Sequence, residues 1–294
     1  MLLICALDSL MVTETASQSS CLNRMLPHIM LGRATNNWIK ICSPRFVSTL
    51  GLKERKIGVI GLGNVGDALV KNLRRTGYNV TSVLDVKTSL CSQFPDCKAS
   101  KSPAEMVEET DVVFTALPMP QHVKAVFEGE EGLLAGMREG KVWIDHSTTD
   151  YEQTVELNEE IVKKGGRMLE APVTGGLEAL KKGQMTVFLA GDQDVADEMM
   201  PMMEDIYCNV LYTGRMGTAL IPKVLSNMLT CVHNLAMGEV FMVGKRAGVD
   251  MRVMWDAIRA SSGNSFVWET GGPMLMQGTY DPSFTIALQC KDNR

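Results

Sequence analysis

The chain has 294 residues, 45% of them hydrophobic and 21% charged, with a formal charge of −5. That length accommodates two domains or one large one, and the composition is that of a globular protein. The acidic balance excludes nucleic acid as a main partner, and no apolar run reaches the ~18 residues of a membrane helix, so no membrane partner is expected.

Residues 1–54 read as an N-terminal extension, because the first convincing strand begins at Ile57. Within it, residues 25–50 carry Arg33, Lys40 and Arg45, no acid and several hydroxyl residues. This composition fits a mitochondrial transit peptide, with Arg45-Phe46-Val47-Ser48 as a processing region. A mitochondrial location follows, with the cytoplasm as the alternative if the extension has no targeting role.

The next stretch carries the clearest motif. A four-residue apolar run over 57–60 leads into Gly61, Gly63 and Gly66, spaced G-x-G-x-x-G, and then into a helical pattern over 65–76. Gly61 permits a sharp turn, Gly63 lets backbone approach a pyrophosphate, and Gly66 lets helix and strand pack closely. The free N–H groups of the helix start then favour phosphate. A second strand over 80–84 ends at Asp85, placed to hydrogen-bond an adenosine ribose 2′-OH. A carboxylate there repels a 2′-phosphate, which favours NAD over NADP. The alternative is a glycine turn of another α/β protein, with Asp85 a solvated strand end.

Further strands are predicted over 112–116, 142–145, 167–170, 186–190 and 210–212, alternating with helices over 103–108, 120–127, 151–164 and 194–205. Ser102-Pro103 with Glu105 is a helix-start signature. Such alternation builds a mostly parallel sheet covered by helices. The rhythm then changes: 218–247 reads as one helix of about eight turns, followed by another over 251–260. So apolar a helix is expected to be largely buried.

Four polar residues of the long helix, Lys223, Asn227, Thr230 and Asn234, recur at i, i+4, i+7 and i+11 and form one stripe. A lysine on a buried face needs a partner or a lowered pKa, and a lysine so tuned can exchange protons near neutrality. A solvent-facing stripe is the equal alternative. Two segments follow strands, where ligands gather in parallel sheets: Asp145-His146-Ser147-Thr148-Thr149 and Ala171-Pro172-Val173-Thr174-Gly175-Gly176. Hydroxyls of the first can donate to a carboxylate, and the glycines of the second expose N–H groups to an anion. Either could equally be ordinary turn chemistry. His146 reads as a hydrogen-bonding filler in preference to a base. The eight cysteines show no C-x-x-C pair and no zinc-ligand spacing, so they read as reduced thiols and no metal site is expected.

In order, these segments resemble the β-hydroxyacid dehydrogenase family over residues 56–292. Its glycine fingerprint corresponds to Gly61, Leu62, Gly63, Asn64, Val65 and Gly66, and its D-x-S-T segment to Asp145-His146-Ser147-Thr148. Its A-P-V-S-G-G segment corresponds to 171–176, with Thr174 for serine, and its K-x-x-x-N pair to Lys223 and Asn227. Its late F-x-x-x-L-x-x-K-D segment corresponds to 284–292, which includes Lys291 and Asp292.

The resemblance implies a Rossmann-type, mostly parallel sheet over 55–215. An all-α substrate and dimerisation domain over 216–294, incomplete at its C-terminus, would follow. It implies NAD-dependent oxidation of a small β-hydroxy acid. Lys223 would be the general acid/base and Asn227 would hydrogen-bond the substrate, while Ser147, Thr174, Gly175 and Gly176 hold the carboxylate. The fingerprint residues, Asp85, Leu117, Pro118, His122, Thr148 and Lys291 would face the cofactor. His122 stands where the family has asparagine, Met228 replaces the second asparagine of the usual pair, and Ala179-Leu180 replaces a glycine-alanine. A homo-oligomer is implied if the helical domain is complete. Two other readings stay open: a truncated, non-catalytic paralogue serving as a binding or assembly subunit, and an NADPH-dependent reductase of glyoxylate or succinic semialdehyde. Asp85 speaks against the latter.

Overall fold

The computed structural model describes residues 49–279 and Asp292. The transit-peptide reading and Lys291 therefore lie outside the described residues. In chain order, α1 (Thr49–Glu54) precedes β1 (Ile57–Ile60), α2 (Asn64–Arg75), β2 (Val80–Leu84), α3 (Thr88–Cys91), β3 (Lys98–Ala99) and α4 (Pro103–Glu109). There follow β4 (Val112–Thr115), α5 (Pro120–Phe127), α6 (Leu133–Gly136), β5 (Val142–Asp145), α7 (Tyr151–Lys163), β6 (Arg167–Glu170), β7 (Val173–Thr174) and α8 (Gly176–Lys181). The chain continues through β8 (Thr186–Gly191), α9 (Gln193–Ile206), β9 (Asn209–Gly214), α10 (Leu220–Arg246), α11 (Met251–Arg259) and α12 (Phe266–Gln277).

The strands lie in the order β3-β2-β1-β4-β5-β6-β8-β7, with β9 on β8. Pairing is parallel from β3 through β6, and β8 runs antiparallel to β6 and β7. The first six positions have the order of a dinucleotide-binding doubly wound sheet, with the switch point between β1 and β4. Central strands are buried on both faces, so their residues alternate between two cores. Val59, Phe114, Ile144 and Leu169 enter one cluster, and Ile60, Val113, Trp143 and Met168 the other. Full burial of each such side chain contributes roughly 1.5–3 kcal/mol.

Helix starts follow their caps. Ser102 Oγ accepts from Glu105 N at 3.2 Å with Pro103 at the first helical position, and Asp150 accepts from Gln153 N at 3.1 Å before α7. Leu52 of α1 is buried in the sheet's core, so the fold begins before the first strand announced by the sequence pattern. α10 to α12 build a separate core from Met237, Phe241, Trp255, Val267 and Trp268. There Phe241 stacks on Trp268 at 4.8 Å, and each tryptophan indole N–H donates to the other's carbonyl at 3.0 and 3.1 Å.

The structure corrects the expected burial of α10. Its buried residues are Leu220, Lys223, Asn227, Met237, Phe241 and Gly244, whereas Leu225, Leu229, Val232 and Leu235 are half or more exposed. A single helix presents only one side to its neighbours, and the anchorage described below turns the Lys223–Asn227 side inward. Apolar composition alone does not choose that side. No helix among the described residues is long and apolar enough to cross a membrane.

Candidate active site

The glycine turn leaves β1 at the sheet's switch point. Gly61 has φ +88°, and a Cβ there would lie 2.5 Å from Ala116 O. A Cβ on Gly66 would lie 1.7 Å from Gly61 O. Both glycines are required by the fold. Gly63 differs: its φ is −65°, and a Cβ would meet nothing within 4 Å. Neither strain nor crowding within the protein calls for glycine there, and the open space lies at the start of α2, where no side chain caps the helix. The turn therefore fits a dinucleotide pyrophosphate, held by the free N–H groups of α2 with no side chain in the way. Asn64 is exposed beside Gly63, Val65 is half-buried, and Leu62 is buried. Asp85, at the end of β2, accepts from Leu62 N at 2.7 Å and from Lys87 N at 2.8 Å, so it braces the turn.

The ends of β4 and β5 form the next wall. Ser147 is buried, and its Oγ accepts from Leu117 N at 3.0 Å. Its own N–H donates to Asp145 Oδ1 at 2.9 Å, and the same carboxylate oxygen accepts from Thr115 Oγ1 at 2.7 Å. Ser147 thus fixes the Leu117-Pro118 turn, and its hydroxyl proton remains to be donated. Thr148 is half-buried beside it. His146 is buried between Ala171 and Tyr207, with Nδ1 2.6 Å from Ala171 O and Nε2 2.8 Å from Tyr207 Oη. Burial pushes its pKa down to about 4, which suits a neutral hydrogen-bonding ring and not a proton carrier.

Ala171–Gly176 leaves β6 as a short loop. β7 within it pairs antiparallel with β8, Thr174 opposite Thr186. Gly175 and Gly176 have φ +138° and +79°, conformations that favour glycine. Thr174 and Gly175 are half-buried and Gly176 is exposed, so the loop is accessible to a small anion.

Lys223 and Asn227 are 8% and 9% exposed. Lys223 Nζ donates to Asn227 Oδ1 at 3.1 Å, and Asn227 Nδ2 donates to Asp292 Oδ2 at 2.6 Å. The amide is thereby oriented with its oxygen toward the ammonium. Of the rest of the polar stripe, Thr230 turns back onto Ser226 O and Asn234 is exposed. Glu170 ties this helix to the loop: it accepts from Gly217 N at 2.7 Å and from Leu220 N. Thr174 lies four residues after Glu170, at most about 14 Å of chain, and Lys223 lies three residues beyond Leu220, about 4.5 Å along the axis. Burial raises the Glu170 pKa to about 7 against the pull of those backbone donors.

Pro118 and His122 are exposed, His122 in the first turn of α5. The sequence reading did not single out Glu170 or Tyr207. The spacing of Glu170 just before the glycine loop was the available sign for the first; nothing local marks the second.

A family model described as the NAD binding domain of 6-phosphogluconate dehydrogenase matches residues 56–227. A second, described as NAD-binding of NADP-dependent 3-hydroxyisobutyrate dehydrogenase, matches 217–294. The mitochondrial 3-hydroxyisobutyrate dehydrogenase of Homo sapiens is 31% identical, over 88% of this chain and 78% of that protein. Glyoxylate/succinic semialdehyde reductase 1 of Arabidopsis thaliana is 30% identical, over 81% and 83%. A solved 3-hydroxyisobutyrate dehydrogenase of Mycobacterium tuberculosis with L-serine superimposes with a TM-score of 0.73 at 26% identity, covering 81% of this chain and 84% of that one. Fold, turn and matches define an NAD(P)-binding dehydrogenase chain. It belongs to the β-hydroxyacid dehydrogenase family.

Proposed function

We propose that the chain oxidises a small β-hydroxy acid of the 3-hydroxyisobutyrate type to its semialdehyde with NAD. The observation that carries this reading is the buried Lys223–Asn227–Asp292 chain on a helix anchored to the glycine loop. When bound, NAD supplies the hydride acceptor. The carbon bearing the hydroxyl becomes a carbonyl only as the hydroxyl proton also leaves, and Lys223 in its neutral amine form takes that proton as general base, becoming the ammonium, a role typically worth ~10²–10⁴-fold. Asn227 orients the Lys223 amine and hydrogen-bonds the substrate. Thr174, Gly175, Gly176 and the hydroxyl of Ser147 hold the carboxylate, which fixes the carbinol carbon against the nicotinamide. Leu62, Asn64, Val65, Leu117, Pro118, His122 and Thr148 complete the cofactor side, and the family resemblance gives Lys291 the same role.

The name and title of the human and mycobacterial relatives support this substrate class, and Asp85 at the end of β2 supports NAD over NADP. The plant relative keeps a second reading in play, reduction of glyoxylate or succinic semialdehyde with NADPH. A purified chain assayed with NAD plus 3-hydroxyisobutyrate or L-serine, beside NADPH plus glyoxylate or succinic semialdehyde, separates the two. NAD reduction with the hydroxy acids is expected; turnover only in the NADPH arm replaces the first reading, and turnover in neither leaves a binding or assembly subunit. We also propose a mitochondrial location, which the mitochondrial relatives support, and self-association. Imaging of the tagged chain and its mass in solution test these.

A further inference from the structure

We propose that His146 and Tyr207 are a positioning pair: His146 grips the carbonyl of Ala171 and so sets the path of the carboxylate-binding loop Ala171–Gly176. This rests on the β-hydroxy acid reading above. β6 ends at Glu170, so Ala171 is the first residue outside the sheet. Its N–H still donates to Asp145 O at 2.7 Å. Its carbonyl is instead taken by a side chain, His146 Nδ1, at 2.6 Å. Ala171 is thus held from both sides immediately before Pro172, whose own carbonyl accepts from Phe188 N at 3.0 Å. Gly175 and Gly176, which the proposed reading gives to the carboxylate, follow within five residues of Ala171.

The proton positions follow from chemistry. A carbonyl only accepts, so Nδ1 carries the hydrogen, and Nε2 of the neutral ring accepts the hydrogen of Tyr207 at 2.8 Å. Tyr207 meets the imidazole edge-on at 5.6 Å between centroids, and Phe114 packs against the same ring at 5.3 Å. The tyrosine hydroxyl selects the tautomer that grips Ala171, as an outer hydrogen bond sets the tautomer of many functional imidazoles. Burial holds the ring neutral well below its ordinary titration range, so Nε2 stays an acceptor for the Tyr207 hydroxyl across the working pH range. His146 therefore acts through the loop and exchanges no proton with substrate.

The test compares wild type, His146→Leu, His146→Gln and Tyr207→Phe as full-length proteins. The readouts are KM for 3-hydroxyisobutyrate, kcat, and NAD affinity by fluorescence titration. His146→Leu is expected to raise KM about 10-fold with kcat and NAD affinity within about 3-fold, the pattern of lost ground-state positioning. His146→Gln, whose amide N–H can still reach Ala171 O, should recover most of that loss, and Tyr207→Phe should raise KM about 3-fold. Should the leucine variant fail to fold, the other two carry the comparison. KM unchanged in them, or an equal fall in kcat and NAD affinity, overturns the pair's positioning role. A wild type that neither turns over nor binds the hydroxy acid overturns the functional reading first and this inference with it.

Discussion

The carboxylate of Glu170 accepts the backbone N–H of Gly217 at 2.7 Å, joining the last residue of β6 to the entry of α10. A negative charge at the start of a long helix is favoured by the helix dipole, yet this one is 2% exposed and burial raises its pKa from the ordinary 4.5 to about 7. His146 is displaced the other way, from 6.5 to about 4, also by burial. The folded state therefore binds more protons than the unfolded at Glu170 and fewer at His146.

The consequence is a pair of opposed stability slopes. The Glu170 contribution is present below pH 4.5 and is lost as pH rises through 7. The His146 contribution is present above pH 6.5 and is lost as pH falls through 4. Each amounts to roughly 3 kcal/mol, so between pH 4.5 and 6.5 they nearly cancel. Glu170→Gln is expected to leave stability rising with pH across that window, and His146→Gln to leave it falling. Urea unfolding at three pH values checks this, and wild-type slopes in both variants would disprove it.

Substitution of Lys223 separates proton transfer from binding. Lys223→Met retains the length and apolar body of the side chain and removes the ammonium that donates to Asn227. Turnover is expected to fall by ~10²-fold or more, while NAD binding, carried mainly by the glycine turn on another element, stays close to wild type. Turnover within a few-fold of wild type would remove Lys223 from the chemistry.

Two glycines of one turn should respond in opposite ways. A methyl group on Gly66 meets the Gly61 carbonyl at 1.7 Å and forces backbone apart, so Gly66→Ala should cost about 3 kcal/mol or more. Gly63→Ala meets nothing within 4 Å and should change stability by about 1 kcal/mol or less, yet it should weaken NAD binding at least ~10-fold by filling the pyrophosphate approach. Thermal melts paired with NAD titrations distinguish fold from ligand. An alanine at 63 that binds NAD normally would place the pyrophosphate elsewhere.

Asp85 braces the turn, and under the proposed function it also selects the cofactor; substitution can divide the two. Asp85→Asn keeps an oxygen for Leu62 N and removes the charge. The ratio of NADP to NAD efficiency should rise by about 10-fold, with the fold intact. An unchanged ratio would show that the carboxylate braces the turn without choosing the cofactor.

The sheet was legible because its strands are short runs of buried apolar residues between turn signals, as at Val112–Thr115 and Val142–Asp145. α8 and β7 were not, since a few residues around Gly175 and Gly176 carry too little periodicity to declare a state. The pairing of Lys223 with Asn227 follows from helical spacing alone. The side of α10 that is buried does not, because periodicity reports which residues share a face and not what lies opposite. Glu170 with Gly217, and His146 with Tyr207, are separated by 47 and 61 positions. Only the folded chain brings such partners together: the place of Glu170 before the glycine loop hints at a role, but nothing local names Gly217 as its partner or marks Tyr207 as the partner of His146.

Gly63 differs from its two neighbours in what holds it in place. Drift at Gly61 or Gly66 is opposed by folding itself, whether or not any nucleotide is ever bound. Drift at Gly63 meets no such opposition from the fold, and under the proposed function it is opposed by the bound pyrophosphate. In a lineage retired from catalysis, that position would be the first of the three to acquire a side chain, which makes its identity a simple marker for sorting working members from relics.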